Sequence, residues 1–429
     1  MSADASPSPR EAGGGPGWGV APHTLLLALA ATWLGWGFDV FDAHIFNYVA
    51  KPTLHALLVP DAQVNSTMAW LQCIFLTGWG VGGILFGRLA DRLGRSRVLV
   101  LTMVLYGAGT AACAACGSLP SFVVCRLVAS LGIGGEWAAG ASLLSEIAPD
   151  RWRPLLGALM YTASPVAQMV VSAVNRHVVH GDYAGAEANG WRYAYLMGLA
   201  PAVLAFVLRV FVAEPARWRE HSGEKAPVSA LFGPLRRVTV TGVLLATVAL
   251  VGAWGILGFL SRALEEWGAH AGLGGDMLHA MVDRGNQWAL RGGFVGVLST
   301  VPVAMVFGRR DAFAIYFTGA LASSCVVLGP LHLPLETRVR TLFFLGFFAH
   351  GVFGIFPYYL PELFPTNLRA AGSGFCYSFG RFVSAAGVLV VGRVQEHLGL
   401  TQAMLTLSAV YAIGIVSVAF ARETGGELT

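Results

Sequence analysis

Charged residues in this chain collect in short clusters, separated by apolar runs of about 20 residues. The runs fall near 23–49, 67–88, 98–116, 120–147, 155–178, 191–213, 239–261, 288–307, 312–330, 341–360, 370–392 and 400–421. A helix of that length crosses roughly 30 Å of hydrocarbon, so the pattern predicts an all-α membrane protein of about twelve transmembrane helices. The first run is too long for a signal-peptide core and lacks a basic cluster before it, so it is expected to be retained. Residues 262–290 fit least well. There Glu265, Glu266, Asp283 and Arg284 punctuate a weakly amphipathic stretch, expected on the outer face.

Composition agrees with a lipid solvent. The chain is 55% hydrophobic and 12% charged, where soluble domains carry about 25% charged residues. Its 54 glycines would weaken water-soluble helices but let membrane helices approach closely. A net charge of +4, with no basic patch interleaved with aromatics, argues against nucleic acid. Cys113 and Cys116 form a C-x-x-C, yet no second pair or nearby His accompanies it, so all six cysteines read as core residues. Neither a metal nor a cofactor is expected. The chain also offers no nucleophile constellation and no nucleotide-binding loop, which argues against an enzyme.

Charge asymmetry sets the expected orientation. With both termini in the cytoplasm, cytoplasmic segments hold about 17 of the 28 Lys and Arg and the opposite side about 9. The only long cytoplasmic connection, 214–238, lies near the midpoint. The expected organisation is an N-terminal tail (1–22), a six-helix lobe (23–213), a linker (214–238), a second six-helix lobe (239–421) and a short tail (422–429).

An internal repeat supports two lobes. Ser145-Glu146-Ile147-Ala148-Pro149 with Arg153 ends the fourth span, and Pro361-Glu362-Leu363-Phe364-Pro365 with Arg369 ends the tenth. In both, Pro follows Glu by three residues and Arg follows it by seven, a candidate salt-bridge repeat six helices apart. Parallel repeats of this kind mark two-lobed transporters that rock around a midplane site. A second repeat is partial. The loop after span two reads Gly87-x-x-x-Asp91-Arg92-x-Gly94-Arg95-x-Arg97, whereas the loop after span eight keeps Gly308-Arg309-Arg310 with Met305 in place of an acid. The first loop is read as a charge-paired gate, the alternative being a cytoplasmic anchor.

Gly87, Asp91, Arg92, Gly94, Arg95 and Arg97 resemble the loop signature of the major facilitator superfamily. Arg126, Gly132, Gly134, Gly135, Glu136 and Glu146 are similar to a pattern of its proton-coupled metabolite and sialate symporters. Tyr359, Pro361, Glu362, Pro365, Arg369 and Gly372 are similar to the tenth-to-eleventh connection of the same groups. Asp39-Val40-Phe41-Asp42 resembles the D-G-F-D of sialate and aromatic-acid symporters, with Val40 replacing Gly. Efflux antiporters of the superfamily tend to carry Gly-Pro-Gly-Gly in span five. This chain has Ala163-Ser164-Pro165-Val166, so the resemblance favours uptake. It also implies a bacterial inner membrane.

Ionisable groups at membrane depth are costly and so become candidates for function. Asp39 and Asp42 share a helix face, and their repulsion suits one of them to carry a proton, the alternative being a solvated or Arg-paired couple. Glu136 is either a further proton site or a structural acceptor. Arg381, mid-span in helix eleven, suits bidentate grip on a substrate carboxylate or neutralisation of an acid from the other lobe. Arg126 reads as a salt-bridge residue or a substrate contact near the outer mouth. His350, Gln168 and Asn175 are further polar candidates, against a bland role as hydrogen-bonded filler. Trp33, Trp36, Trp137, Tyr358 and Tyr359 read as packing or belt aromatics. The expected function is proton-coupled import of a small organic anion, such as a monocarboxylate or acidic sugar, by a monomer in a lipid bilayer. A neutral-sugar or polyol facilitator, an exporter and a transport-dead sensor are the rivals.

Overall fold

The computed structural model describes residues 22–174, 177, 186–197, 199, 203, 206–207, 210–221, 226–329, 333–425 and 428. The described elements are helical. In chain order the longer ones are α1 (Pro22–Ala56), α2 (Asp61–Leu93), α3 (Arg95–Ala115), α4 (Leu119–Ile147), α5 (Asp150–Val174) and α6 (Ala186–Met197), followed by α7 (Arg236–His270), α8 (Gly275–Phe307), α9 (Arg309–Leu328), α10 (Leu335–Glu362), α11 (Arg369–Leu398) and α12 (Leu400–Val418). Ten of them are long and apolar enough to span a bilayer. Asn175 lies outside the described residues.

Each lobe packs its second helix against its fourth with almost no side chain between them. A Cβ on Gly82 of α2 would sit 2.0 Å from the Leu131 carbonyl oxygen of α4. A Cβ on Gly292 of α8 would sit 1.9 Å from the Phe343 carbonyl oxygen of α10. Lipid supplies no hydrophobic drive to pair helices, so backbone approach of this kind carries much of the association.

Residues 262–290 are more regular than the weakly amphipathic stretch expected there. Leu260–His270 is helical, and α8 begins at Gly275 rather than near 288. Leu260, Ala263, Leu264 and Trp267 form a buried stripe while Glu265 and Glu266 face outward, so the charges occupy the outer face of an amphipathic helix. Two spans are locally unwound, α7 at Leu257–Phe259 and α10 at Gly351–Gly354, each as a 3-10 turn. Irregular backbone at membrane depth is tolerated where protein surrounds it, and Gly351–Gly354 is wholly buried.

Candidate functional site

At the end of the bundle that carries the 87–97 loop, buried charges join the two lobes. The repeat pairs crosswise. Glu146 of α4 accepts from Arg369 at 3.0 Å, and Arg153 of α5 reaches Glu362 of α10 at 3.4 Å. Each glutamate also takes the arginine of the Gly-turn in its own lobe, Arg95 to Glu146 at 2.8 Å and Arg309 to Glu362 at 3.5 Å. Side-chain exposure of Arg95, Glu146, Arg369 and Glu362 is 0%. Buried ions must be matched closely to offset their desolvation, and the matching is completed from several directions. Arg95 also donates to the Thr366 carbonyl at 2.7 Å, Arg369 to the Pro361 carbonyl at 3.0 Å and Arg153 to the Ser145 carbonyl at 3.1 Å; Arg153 also pairs with Asp150.

The Gly turns explain the local geometry. Gly94 and Gly308 end α2 and α8 with φ of 113° and 89°, left-handed backbone that admits the sharp reversal. A glutamate closes each turn: Glu214 accepts from the Arg97 N–H at 3.1 Å, and Glu423 from the Arg309 and Arg310 N–H groups at 3.1 and 2.9 Å. Neither Glu214 nor Glu423 was singled out by the sequence reading. Their matching place after the last span of each lobe was the available signal.

One part of this device is unequal. Asp91 pairs with Arg95 at 3.0 Å and accepts from the Ala370 and Ala371 N–H groups at 3.1 and 2.8 Å, capping the start of α11 across the lobe boundary. In the repeat Met305 stands where Asp91 does, and Pro154 where Ala370 does. Acid and donor are therefore replaced together, because proline has no N–H to offer. Arg92 and Arg97 are exposed, and Gly87 lies against α11, its Cβ position 2.6 Å from the Ala370 carbonyl oxygen.

A second polar cluster lies deep between the lobes. Asp39 and Asp42, both on α1 and both buried, are divided between two environments. Asp42 pairs with Arg126 of α4 at 2.8 Å and accepts from the Thr110 hydroxyl at 2.9 Å. That guanidinium lies over Phe75, 4.3 Å from the ring centre. Arg126 thus serves a pair within its own lobe. Asp39 instead acts electrostatically on Arg381 of α11 in the other lobe. Arg381 is 2% exposed, its guanidinium carbon lies 4.3 Å from the ring centre of Trp79 and 4.6 Å from that of Tyr377, and its Nη2 has no hydrogen-bond partner.

Around Arg381 the aromatics are ordered. Tyr377 stacks on Trp137 at 4.0 Å and 10°, and Tyr161 on Phe353 at 5.5 Å and 9°. The hydroxyls of Tyr161 and Tyr377 lie 3.3 Å apart across the lobe boundary. His350 and Gln168 meet at Ser164: His350 Nε2 is 3.2 Å from its hydroxyl, and Gln168 donates to its carbonyl at 3.4 Å. Glu136 is elsewhere, buried against α3 with the Thr102 hydroxyl at 3.5 Å. Of the expected aromatics, Trp36 and Trp137 belong near Arg381. Trp33 donates to the Thr162 hydroxyl at 3.0 Å, whereas Tyr358 and Tyr359 pack at the charged end, Tyr359 donating to the Arg422 carbonyl at 2.9 Å. Trp79, Tyr161 and Tyr377 were not anticipated, since an aromatic in an apolar run gives no sign of the side it faces.

Two lobes that exchange buried charges around a central cluster of ionisable groups match a known architecture, and residues 25–388 match the Major Facilitator Superfamily. The chain belongs to that superfamily. It is a multi-pass membrane transport protein and not an enzyme. Among its relatives, a protein of Cupriavidus pinatubonensis named "Probable 4-methylmuconolactone transporter" is 28% identical over 403 residues, covering 92% of this chain and 90% of that one. The sialic acid transporter NanX of Escherichia coli is 26% identical over 397 residues, covering 90% and 91%. The fold matches the proton:xylose symporter XylE bound to 6-bromo-6-deoxy-D-glucose with a TM-score of 0.79 at 17% identity, covering 95% of this chain and 98% of that one. The twelve-helix, two-lobe architecture is thus that of a superfamily transporter.

Proposed function

We propose that the chain is a proton-coupled importer of a small organic anion in a bacterial inner membrane, with both termini cytoplasmic. The observation that carries this reading is Arg381, a buried guanidinium whose Nη2 has no hydrogen-bond partner, in the lobe opposite to the buried Asp39. An anion that binds that nitrogen displaces the influence of Asp39, and protonation of Asp39 removes the competing negative charge. Proton and anion then bind together, and the neutralised centre can pass between lobe orientations. Arg126 and Asp42 hold the first lobe rigid beside it. The crosswise charges at the far end act as the cytoplasmic gate, closed while the substrate is taken from outside. Relatives named for a lactone and for sialic acid fit this substrate range.

Uptake of labelled carboxylates into proteoliposomes, with and without an inward proton gradient, tests the reading. Gradient-stimulated accumulation of an acid that is lost in Arg381→Ala is the expected result. Gradient-independent movement of a neutral sugar would overturn it.

A further inference from the structure

Two thiols meet at the end of the first lobe opposite the 87–97 loop, in a place the transport reading does not use. Cys116 caps the C-terminus of α3 on extended backbone, and its Sγ lies 3.7 Å from that of Cys125 in α4. By sequence Cys116 belongs to a C-x-x-C with Cys113, yet the sulfur it meets is on the neighbouring helix. A bond from Cys113 to Cys116 would stay at the end of α3. A bond from Cys116 to Cys125 would join two helices. Among the described residues no group of three His, Cys, Asp or Glu side chains is placed to hold a metal ion, so the contact suits oxidation better than ligation.

The helices already stand close enough. A Cβ on Gly109 of α3 would sit 2.7 Å from the Ala129 backbone nitrogen of α4, and one on Gly132 of α4 would sit 2.7 Å from the Tyr106 nitrogen of α3. Bonded sulfurs stand about 2.0 Å apart, so closure asks the two side chains for a movement of under about 2 Å. Access is from the turn. Cys116 is buried beneath Ala115, Gly117 and Ser118, which are exposed, and Cys125 is half-buried. The second lobe ties the corresponding helices by other means, Arg338 of α10 donating to the Val327 carbonyl of α9 at 2.7 Å.

We propose that Cys116 and Cys125 are a redox pair that a small disulfide oxidant closes to a disulfide, tying α3 to α4. The first thiolate attacks one sulfur of the oxidant, whose S–S bond breaks and releases one thiol. The second thiolate attacks the protein-bound sulfur and releases the other. Two protein thiols thus give up two electrons and two protons, and the oxidant leaves as two thiols. Both helices belong to the first lobe, so the bond stiffens that lobe and adds no link across the boundary that must rock. It also anchors the residue before Arg126, whose guanidinium holds Asp42. With the termini in the cytoplasm, as proposed above, the pair lies toward the oxidising compartment.

The test treats folded, full-length protein in detergent with dithiodipyridine, a small aromatic disulfide. A closing pair releases two pyridinethiones and keeps no label, whereas an isolated thiol keeps a pyridylthio group. No Lys or Arg lies between Arg97 and Arg126, so trypsin delivers Cys113, Cys116 and Cys125 in one peptide for mass spectrometry. That peptide is expected to carry an internal disulfide in the parental protein and in Cys113→Ser, and none in Cys116→Ser or Cys125→Ser. The oxidised parental protein should melt about 2 °C or more above the reduced form, a shift that dithiothreitol reverses and Cys125→Ser lacks. A disulfide that persists in Cys125→Ser would overturn the pairing, as would thiols that each keep a label or stay unreacted. A disulfide without the rise in melting temperature would overturn the stiffening role.

Discussion

Arg369 lies seven residues after Glu362, yet its carboxylate partner is Glu146 of the other lobe, 3.0 Å away. Arg153 makes the reciprocal crossing to Glu362. The repeat therefore encodes an exchange between lobes, and each copy of the motif is incomplete without the other.

Replacing Glu146 with Gln leaves the Arg95 and Arg369 guanidinium groups together without the carboxylate that joins them. Breaking a buried pair by removing one partner costs about 3–5 kcal/mol. The expected outcome is a lower melting temperature in detergent and uptake reduced at least about tenfold. Uptake at the parental rate would show that the exchange does not form a working gate.

Asp39 and Asp42 should separate in their phenotypes. Asp42→Asn leaves Arg126 without its counter-charge in a buried setting, so folded yield should fall. Asp39→Asn should fold, lose gradient-driven accumulation and retain exchange of labelled for unlabelled substrate, which needs no net proton movement. Counterflow and gradient-driven uptake measured side by side distinguish the two. Coupled uptake surviving in Asp39→Asn would remove that residue from the proton path.

The Met305 and Pro154 substitutions should behave as a unit. Met305→Asp alone meets a helix start that lacks one of the two N–H groups Asp91 uses in the other lobe. Its effect on transport rate should be small. Combined with Pro154→Ala it should latch α8 to α5 and slow transport by more than the product of the single effects. A double-mutant cycle on uptake rates measures this, and strict additivity would mean that no second latch forms.

Gly82→Val should prevent assembly, because the added Cβ falls 2.0 Å from backbone that cannot rotate away. Gly117→Ala is the control, with nothing within 4 Å of its Cβ position. Monodisperse yield on size exclusion should collapse for the first and hold for the second.

Hydrophobic periodicity alone placed most of the spans, because a bilayer demands long apolar runs whatever their tertiary partners. It missed the N-terminal part of α8, where Asp283 and Arg284 interrupt the apolar pattern while Met281, Val282 and Gly285 stay buried. That Arg381 would be buried was legible, because it falls mid-way along an apolar run. The division of Asp39 from Asp42 was not, since spacing put them on one face and only the position of Arg126 decides between them. The crosswise pairing was also hidden: a motif repeated within each lobe suggests partners within each lobe. Ring orientation around Arg381 depends on how helices from two lobes meet, which a linear pattern does not record.

The exchange of charges has a bearing on biogenesis. Glu146, Arg153 and Asp91 are made 223, 209 and 279 residues apart from the cross-lobe groups at 369, 362 and 370 that they engage. For about half of synthesis, the first lobe thus holds at one end a set of ions whose cross-lobe partners have not yet been made. Until then those side chains have only the partners of their own lobe, Arg95 for Asp91 and Glu146, and Asp150 for Arg153. The stretch from Glu362 to Ala371 then arrives as the closing piece, and sealing that end of the molecule becomes one of the last events in its folding rather than one of the first.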